Sequence, residues 1–255
     1  MSKVATLNFT INGRGEVRNN GAVLIIGGSS EIGLAVAQYQ RDCYHFQVIR
    51  VTRQTIKGND KDEIQYSCDY QISNIEHTCH QIRELKLNIG KVIICNGLLH
   101  NDDFMPEKKL DDVNAGQLEQ SYQANVIVPM LWLKQLPNLN LTANAQICVF
   151  SARVASIEDN RLGGWYSYRA TKAALNMMTK TVAIELKRKH KTWCFLLFHP
   201  GTTATPLSKP FQANVQKDKL FTPEFVAKRL EQTMNQLSSD QVIEYLDWQG
   251  ESIPW

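Results

Sequence analysis

Two side chains that could transfer a proton, Tyr168 and Lys172, lie four residues apart in this 255-residue chain. At this spacing, a phenol and an ammonium lie on the same face of a helix. A phenol has an ordinary pKa of about 10, but a cation about 4 Å away favours the phenolate by up to roughly 4 kcal/mol at an effective dielectric of 20. We therefore expect Lys172 to lower the pKa of Tyr168, and the pair to do acid–base work on a carbonyl group.

A neighbouring tyrosine could be mistaken for the reactive one. Tyr166 has Ala170 four residues later, whereas Tyr168 has Lys172. Tyr166 is therefore interpreted as a packing or pocket residue. The spacing of Tyr168 and Lys172 also occurs between solvated side chains on ordinary helix surfaces. The surrounding sequence therefore has to decide whether the two residues form a catalytic pair.

A glycine-rich segment, Gly27-Gly-Ser-Ser-Glu-Ile-Gly33, follows the first apolar run and opens a helical pattern. Glycine allows a tight turn, small residues let the backbone approach a phosphate, and the free amides of a helix start bind the anion. The spacing fits the general dinucleotide fingerprint loosely, so a plain glycine-rich turn is the alternative.

Short β-rich runs alternate with helical stretches along the chain. The predicted strands are Ala22–Ile26, Phe46–Thr52, Ile64–Cys68, Val92–Cys95, Ile147–Phe150, Trp193–Phe198 and Val242–Leu246. The predicted helices are Ile32–Cys43, Ile72–Leu85, Leu118–Leu136, Tyr168–Lys189 and Pro223–Leu237. Since the strands are apolar without alternation, they are expected to be buried on both faces. This pattern predicts an α/β fold with a doubly wound, Rossmann-like parallel sheet of about seven strands and helices on both faces.

Composition limits the remaining possibilities. The chain is 43% apolar, has a formal charge of +3, and shows no linker or repeat, so one domain is predicted for residues 21–255. Residues 1–20 are predicted to be a flexible arm, and the polar segment Pro206–Phe221 is predicted to be a lid over a pocket. Neither a membrane-spanning run, a signal peptide, a nucleic-acid-binding cluster nor a metal site is predicted, so the expected location is the cytoplasm.

The chain resembles the short-chain dehydrogenase/reductase family from about residue 22 to its end. The family's motifs occur in family order: Ile26-Gly-Gly-Ser-Ser-Glu-Ile-Gly33, Ile94-Cys-Asn-Gly97, Asn125 within Gln123-Ala-Asn-Val-Ile-Val-Pro129, the pair Tyr168 and Lys172, and Pro200-Gly-Thr-Thr-Ala-Thr205. The double glycine before the tyrosine, Arg169, and the ending Asp247–Trp255 are most similar to the branch that contains sniffer-type carbonyl reductases and C-factor proteins.

The resemblance implies an NAD(P)-dependent oxidoreductase. It would transfer hydride from NADPH to an aldehyde or ketone, or catalyse the reverse oxidation of an alcohol. Tyr168 would donate the proton, Lys172 would also bind the nicotinamide ribose, Asn125 would hold a relay water, and Ser151 would orient the substrate. The expected cofactor-binding residues are Gly27, Ser29, Ser30, Ile32, Gly33, Arg53, Asp69, Asn96, Gly97, Tyr168, Lys172, Pro200, Gly201 and Thr203.

The end of the second strand predicts which nucleotide is bound. An acidic residue there binds the ribose hydroxyl of NAD, whereas a basic one suits the additional phosphate of NADP. Here the strand ends in Arg53 without a carboxylate, so NADP(H) is favoured and NAD(H) is the alternative. Glu31 argues mildly against NADP because of its charge. Asp69 is expected either to contact adenine or only to form a turn.

The serine that should polarise the substrate is displaced. In the family motif the second of two serines is catalytic, and here that place is taken by Ala152, while Ser151 matches the first serine. Ser151, Ser156 or a water could supply the hydrogen bond. Two further motifs depart from the family pattern: Glu31 replaces the middle glycine of the glycine turn, and Ile94-Cys-Asn-Gly97 keeps only the glycine of its motif. Together with Ala152 and the C-factor resemblance, they leave a second hypothesis, a nucleotide-binding signalling or regulatory protein of C-factor type with little or no turnover.

Two further expectations concern what surrounds the site. Trp165, Tyr166 and the 206–221 lid are predicted as walls of the substrate pocket, which suggests an apolar or aromatic carbonyl compound as the small-molecule substrate. By resemblance, a homodimer or homotetramer packed through Leu118–Leu136 and Tyr168–Lys189 is expected.

Overall fold

The computed structural model describes residues 9–11, 17–19, 21–53 and 63–255. Most of the predicted N-terminal arm lies outside the described residues. Within it, Phe9–Ile11 pairs antiparallel with Val17–Asn19.

Seven parallel strands form the central sheet, as predicted. In chain order they are β1 Gly21–Ile26, β2 Gln47–Thr52, β3 Glu63–Ser67, β4 Asn88–Ile94, β5 Leu141–Phe150, β6 Cys194–His199 and β7 Glu244–Asp247. Their order across the sheet is β7-β6-β5-β4-β1-β2-β3. The strand order therefore reverses between β1 and β4, which is where α/β folds of this kind bind ligands.

Helices cover both faces of the sheet. They are α1 Glu31–Tyr44, α2 Ile72–Glu84, α3 Ala115–Tyr122, α4 Val128–Gln135, α5 Tyr166–Lys187 and α6 Pro223–Met234. One apolar core joins the sheet to α2, α4 and α5 through Ile75, Trp132 and Leu175. The other joins it to α1 and α6 through Val36 and Leu230. The predicted doubly wound architecture is thus confirmed. In the described part of the chain, no helix is both long and apolar enough to cross a membrane.

The predicted helix Leu118–Leu136 is not continuous. A π-helical segment, Gln123–Ile127, separates α3 from α4 and carries Asn125. Segments of this type often mark functional sites. The apolar periodicity continues across the segment, which explains why the sequence predicted one helix.

Strands β4 and β5 begin earlier than predicted. The first residues of β5 are half-buried or exposed, whereas its last four residues are buried. Because polar residues such as Asn144 occupy the outer part of the strand, apolar content alone marked only the buried end.

Candidate active site

The predicted site residues gather at the carboxyl ends of the strands. The glycine turn follows β1, Arg53 follows β2, Asn96 and Gly97 follow β4, Ser151 follows β5, and Pro200 follows β6. The sheet therefore brings together segments that are far apart in the sequence.

The glycine turn after β1 is compact and tied to the next strand. Gly27 has a positive φ of 75°, and a Cβ there would lie 3.0 Å from the amide nitrogen of Asn96. The amides of Gly27 and Gly28 both donate to the carbonyl of Val51 at 3.1 Å. Gly27 is therefore required for two reasons: the turn needs a positive φ, and the backbone of Asn96 leaves no room for a side chain.

Ser30 caps α1. Its hydroxyl accepts from the amide of Gly33 at 3.1 Å and donates to the carbonyl of Gly27 at 3.0 Å. A Cβ on Gly33 would lie only 3.0 Å from the Cα of Gly28. Ser29 is exposed at the tip of the turn and Ile32 is half-buried in the first turn of α1. The start of α1 therefore has the capped, small-residue form that can bind a phosphate.

A cavity of about 660 Å³ lies beside this turn and is lined by Arg53, Asp69, Asn96 and Gly97. All four had been predicted to contact the cofactor. The carboxylate of Asp69 accepts hydrogen bonds of 2.9 Å from the side chain of Asn74 and the amide of Gln71, and these bonds lower its pKa. Asp69 thus forms a turn at the end of β3, as its alternative interpretation proposed, and it also borders the cavity.

Burial dominates the protonation of the central pair. The Nζ atom of Lys172 lies 6.0 Å from the ring centroid of Tyr168. Burial raises the pKa of Tyr168 above its ordinary value and lowers the pKa of Lys172 to about 8. The expectation that the pKa of Tyr168 is lowered is therefore wrong for this structure, because desolvation is the stronger effect.

Backbone carbonyls hold Lys172 in place. Its ammonium donates to the carbonyl of Phe150 at 2.9 Å and to that of Asn96 at 3.5 Å. It also lies 3.6 Å from the position of a Cβ on Gly97. Lys172 thus connects the ends of β4 and β5 to α5, and it lies next to the turn expected to bind the cofactor.

Asn125 is fully buried and its side chain bonds within the protein. Its oxygen accepts from the amide of Leu98 at 2.7 Å, and its nitrogen donates to the carbonyl of Leu98 at 2.9 Å and to the hydroxyl of Thr171 at 3.1 Å. Asn125 therefore joins the turn after β4 to α5. Its expected role with a relay water stays a prediction.

Ser151 is buried, and its hydroxyl donates to the side-chain oxygen of Asn176 at 2.6 Å. The hydroxyl of Ser156 accepts from the amide of Asp159 at 3.0 Å and lies 3.5 Å from the carbonyl of Trp255. Both serine hydroxyls thus have partners inside the protein, and the donor to the substrate stays a prediction.

Aromatic rings border Tyr168. The ring centroid of Trp165 lies 6.2 Å from that of Tyr168 and 4.9 Å from that of Phe211 in the 206–221 lid. His100 lies 5.9 Å from Phe211, and its Nε2 lies 3.1 Å from the carbonyl of Leu207. The lid thus contacts Trp165, and His100 is a contact that the sequence did not reveal. That Trp165 and the lid are walls of the substrate pocket stays a prediction.

Tyr166 does not belong to this wall. It is 39% exposed and lines a separate cavity of about 350 Å³ together with Ile157 and Arg169. Two residues along a helix turn a side chain by about 200°, so Tyr166 points away from the face that carries Tyr168. The prediction that Tyr166 lines the pocket of Tyr168 is not supported.

Glu107 fixes the start of α5 and was missed in the sequence. Its buried carboxylate accepts from the amide of Ser167, at 3.2 Å to each oxygen, and from the Ser167 hydroxyl. Its backbone carbonyl accepts from the amide of Trp165. The carboxylate thus occupies the N-terminus of the helix that carries Tyr168, where the helix dipole favours a negative charge.

The residues before α5 adopt unusual backbone conformations. Gly163 and Gly164 both have a φ of 64°, and Trp165 has a φ of 53°. Arg169 donates to the carbonyls of Gly164, at 2.9 Å, and Gly163, at 3.1 Å. The arginine therefore holds the turn that presents Trp165 to the lid.

Two buried polar atoms indicate that the site fits a nicotinamide nucleotide. Among the described residues, five buried side-chain atoms have no hydrogen-bond partner, and the oxygens of Asn96 and Thr203 are two of them. Both residues had been predicted to contact the cofactor, and buried polar groups normally have partners. Gly201 between β6 and Thr203 has a φ of 72°, and a Cβ there would lie 2.6 Å from the ring of Phe221.

The lid is joined to this segment at both ends. Thr202–Thr203 pairs in parallel with Leu220–Phe221. Between these short strands, residues 209–214 and 217–219 form 3-10 turns. The lid is therefore a loop with structure of its own, closed at its base by a two-stranded sheet.

Known proteins share both sequence and fold with this chain. The chain is 27% identical to C-signal of Myxococcus xanthus over 147 residues, which is 57% of this chain and 83% of that protein. It is 24% identical to a benzil reductase of Bacillus subtilis over 197 residues, covering 76% and 79% of the two chains. Among solved structures, the carbonyl reductase Sniffer of D. melanogaster aligns with a TM-score of 0.76 at 17% identity, over 92% of this chain and 99% of Sniffer. An NADPH-bound carbonyl reductase from chicken fatty liver aligns with a TM-score of 0.77 at 22% identity, over 92% and 98% of the two chains.

The chain also matches the model of a whole protein family. The family model for short chain dehydrogenases matches residues 21–216, which include the glycine turn, Tyr168 and Lys172. The chain therefore belongs to the short-chain dehydrogenase family of oxidoreductases, which use a nicotinamide cofactor.

Proposed function

We propose that this protein catalyses the NADPH-dependent reduction of an apolar or aromatic aldehyde or ketone to an alcohol. The observation that carries the proposal is the position of Tyr168 on the helix that also places Lys172 beside Asn96 and Gly97. Reduction of a carbonyl needs a proton donor at the oxygen, and the neutral phenol of Tyr168 can act as that donor.

The cofactor supplies the hydride when it is bound, and the protein supplies binding and orientation. The start of α1 and the glycine turn would bind the diphosphate, and Lys172 would bind the nicotinamide ribose. Asn96 and Thr203 would use their unpartnered oxygens toward the nicotinamide half of the cofactor.

The preference for NADPH rests on Arg53. This exposed arginine lines the cavity beside the glycine turn, and β2 ends without a carboxylate. A guanidinium matches phosphate oxygens in charge and geometry. The chicken carbonyl reductase with a similar fold was solved with NADPH bound, which agrees with this choice.

Tyr168 would transfer its proton to the substrate oxygen as the carbonyl carbon is reduced. Lys172 would then face a developing phenolate, and its positive charge would stabilise that charge. Trp165 and Phe211 would exclude water from the reacting carbonyl and offer an apolar surface. Ser151 is retained as the proposed substrate-orienting hydroxyl, which requires it to exchange its bond to Asn176.

A nucleotide-binding regulatory protein with little turnover is the second candidate. Ala152 in the place of the usual serine and the Ser151 hydrogen bond to Asn176 favour it. So does the similarity to C-signal.

A panel of aldehydes, aromatic ketones and diketones, assayed with NADPH and NADH, tests the proposal. We expect turnover by the wild type and a loss of at least about 100-fold in Tyr168→Phe, since a positioned proton donor contributes that much. Equal turnover in both proteins would remove Tyr168 from the mechanism. No turnover in either protein, combined with tight nucleotide binding, would support the regulatory candidate.

The proposal extends to assembly and location. The outer face of α5 exposes Tyr166, Met177 and Ile184, which favours the homodimer or homotetramer expected from the family. Light scattering coupled to size exclusion tests this, and a monomer at micromolar concentration would contradict it. The proposed location is the cytoplasm.

A further inference from the structure

A buried arginine of the sheet, Arg50, is hydrogen-bonded to the backbone of the glycine turn. Arg50 belongs to β2 and pairs in register with Ile25 of β1. Its side chain is 5% exposed, and its Nη1 donates to the carbonyl of Gly28 at 3.0 Å. It thus connects the second strand directly to the backbone of the turn expected to bind the diphosphate.

The side chain of Arg50 leaves no room for a side chain at Gly28. A Cβ at Gly28 would lie 2.1 Å from Cγ and 2.7 Å from Cδ of Arg50. Positive φ values are found at Gly27 but not at Gly28, so space and not backbone conformation requires the second glycine. The residue pair Gly28 and Arg50 therefore has to be considered as one unit.

A carboxylate orients Arg50. Nε and Nη2 of Arg50 lie 2.9 and 2.8 Å from Oε2 of Glu63, and Arg41 of α1 donates to the other oxygen of the same carboxylate. Glu63 is 3% exposed. With two guanidinium groups on one carboxylate, the cluster carries one positive charge beside the turn, and removal of Arg50 leaves Glu63 paired with Arg41.

We propose that Arg50 is a positioning residue for the cofactor: it fixes the carbonyl of Gly28, and thereby aims the amides at the start of α1 toward the diphosphate. This inference rests on the proposed cofactor-binding function. Arg50 would act through the turn and would not contact the reacting atoms, so its loss should affect nucleotide affinity far more than turnover.

The first test measures nucleotide binding. We expect Arg50→Ala and Arg50→Met to raise the NADPH dissociation constant and KM about tenfold, with kcat at saturating NADPH changed less than twofold. Arg41→Ala is the matched control, since it removes the other arginine on Glu63, and we expect unchanged affinity. Arg50→Met keeps the volume of the stem, so it reports on the guanidinium even if Arg50→Ala folds poorly.

The second test measures packing and needs no cofactor. We expect Gly28→Ala to lower the urea midpoint in the wild type by more than twice as much as in the Arg50→Ala background, because the clash is with the arginine stem. Equal shifts in both backgrounds would overturn the coupling of Gly28 and Arg50. A wild type that binds NADPH, with Arg50→Ala and Arg50→Met binding it equally well, would overturn the positioning role. A wild type that binds neither NADPH nor NADH would instead contradict the proposed function.

Discussion

At the scale of single residues, the chemistry of the site depends on whether Tyr168 and Lys172 are charged. Tyr168 and Lys172 were identifiable from their spacing, but their protonation was not, because burial depends on contacts made by distant segments. The Nζ atom of Lys172 bonds to the carbonyl of Phe150 at the end of β5 and to that of Asn96 after β4, which are both remote in the sequence. The same reason explains why the sequence could name Ser151 without showing that its hydroxyl faces Asn176.

The pKa of Lys172 leads to a prediction about pH. Because burial lowers this pKa from 10.5 to about 8, we expect kcat/KM for carbonyl reduction to fall as the pH rises through about 8 and the ammonium is lost. The free energy of unfolding should rise with pH over the range in which kcat/KM falls. Between about pH 8 and 10.5 the unfolded chain holds the proton and the folded one does not, so the free energy of unfolding contributed by this group rises with pH.

Pre-steady-state or steady-state pH profiles, together with urea unfolding at each pH, check this prediction. In Lys172→Met we expect a loss of at least tenfold in kcat/KM and no alkaline limb near pH 8. An alkaline limb retained near pH 8 in Lys172→Met would assign it to another group.

The unpartnered hydroxyl of Thr203 gives a second prediction. Replacement of Thr203 by valine removes a buried group without a partner among the described residues, so stability should be unchanged or raised by about 1 kcal/mol. If this hydroxyl binds the cofactor, the NADPH dissociation constant should increase about three- to tenfold. Thr171→Val is the contrasting variant, since Thr171 accepts a hydrogen bond from Asn125 and its loss should cost stability. A Thr203→Val protein with unchanged affinity would remove Thr203 from the cofactor site.

At the scale of elements, the start of α5 matters most, because it carries the reactive pair. The tyrosine and lysine could be placed on a helix from the sequence alone. The contact that fixes the start of this helix could not be predicted, since Glu107 lies 60 positions before Ser167 in a polar segment without a helical or strand pattern. Contacts over such separations leave no local signal in a single sequence.

Glu107 should therefore affect catalysis through α5. We expect Glu107→Gln to lower kcat about tenfold while leaving NADPH affinity within twofold, because it weakens the bonds to Ser167 but does not touch the glycine turn. Asn114→Ala is the matched control, because the side chain of Asn114 caps α3 by accepting from the amide of Gln117. Its loss should cost about 1 kcal/mol of stability and leave kcat unchanged. An equal loss of kcat in both variants would show that helix capping in general, and not the position of Tyr168, is responsible.

The lid should determine substrate affinity. Phe211→Ala removes the ring that lies against Trp165, and we expect kcat/KM for an aromatic ketone to fall about tenfold, mainly through KM. Tyr166→Ala serves as the control, because Tyr166 lines the other cavity and should leave kcat/KM unchanged. Comparable losses in the two variants would return Tyr166 to the substrate pocket.

At the scale of the whole molecule, the alternation of apolar strands and helices was sufficient to predict the sheet and its helical layers. The short strands Thr202–Thr203 and Leu220–Phe221, the π-helical segment and the 3-10 turns of the lid were not predictable, because each is too short to show a period. We propose that residues 21–255 form one domain, since strands from Gly21 to Asp247 share the sheet. Limited proteolysis that released a stable fragment ending within this range would contradict it.

The two-stranded sheet at the base of the lid has a kinetic consequence. Since Thr202–Thr203 and Leu220–Phe221 hold the two ends of the loop together, its ends would stay joined during an outward movement of the tip with Phe211. Thr203 belongs both to this base and to the predicted contacts of the nicotinamide. Each exchange of oxidised for reduced nucleotide would then require one opening of the loop, which would add a step besides hydride transfer to every catalytic cycle.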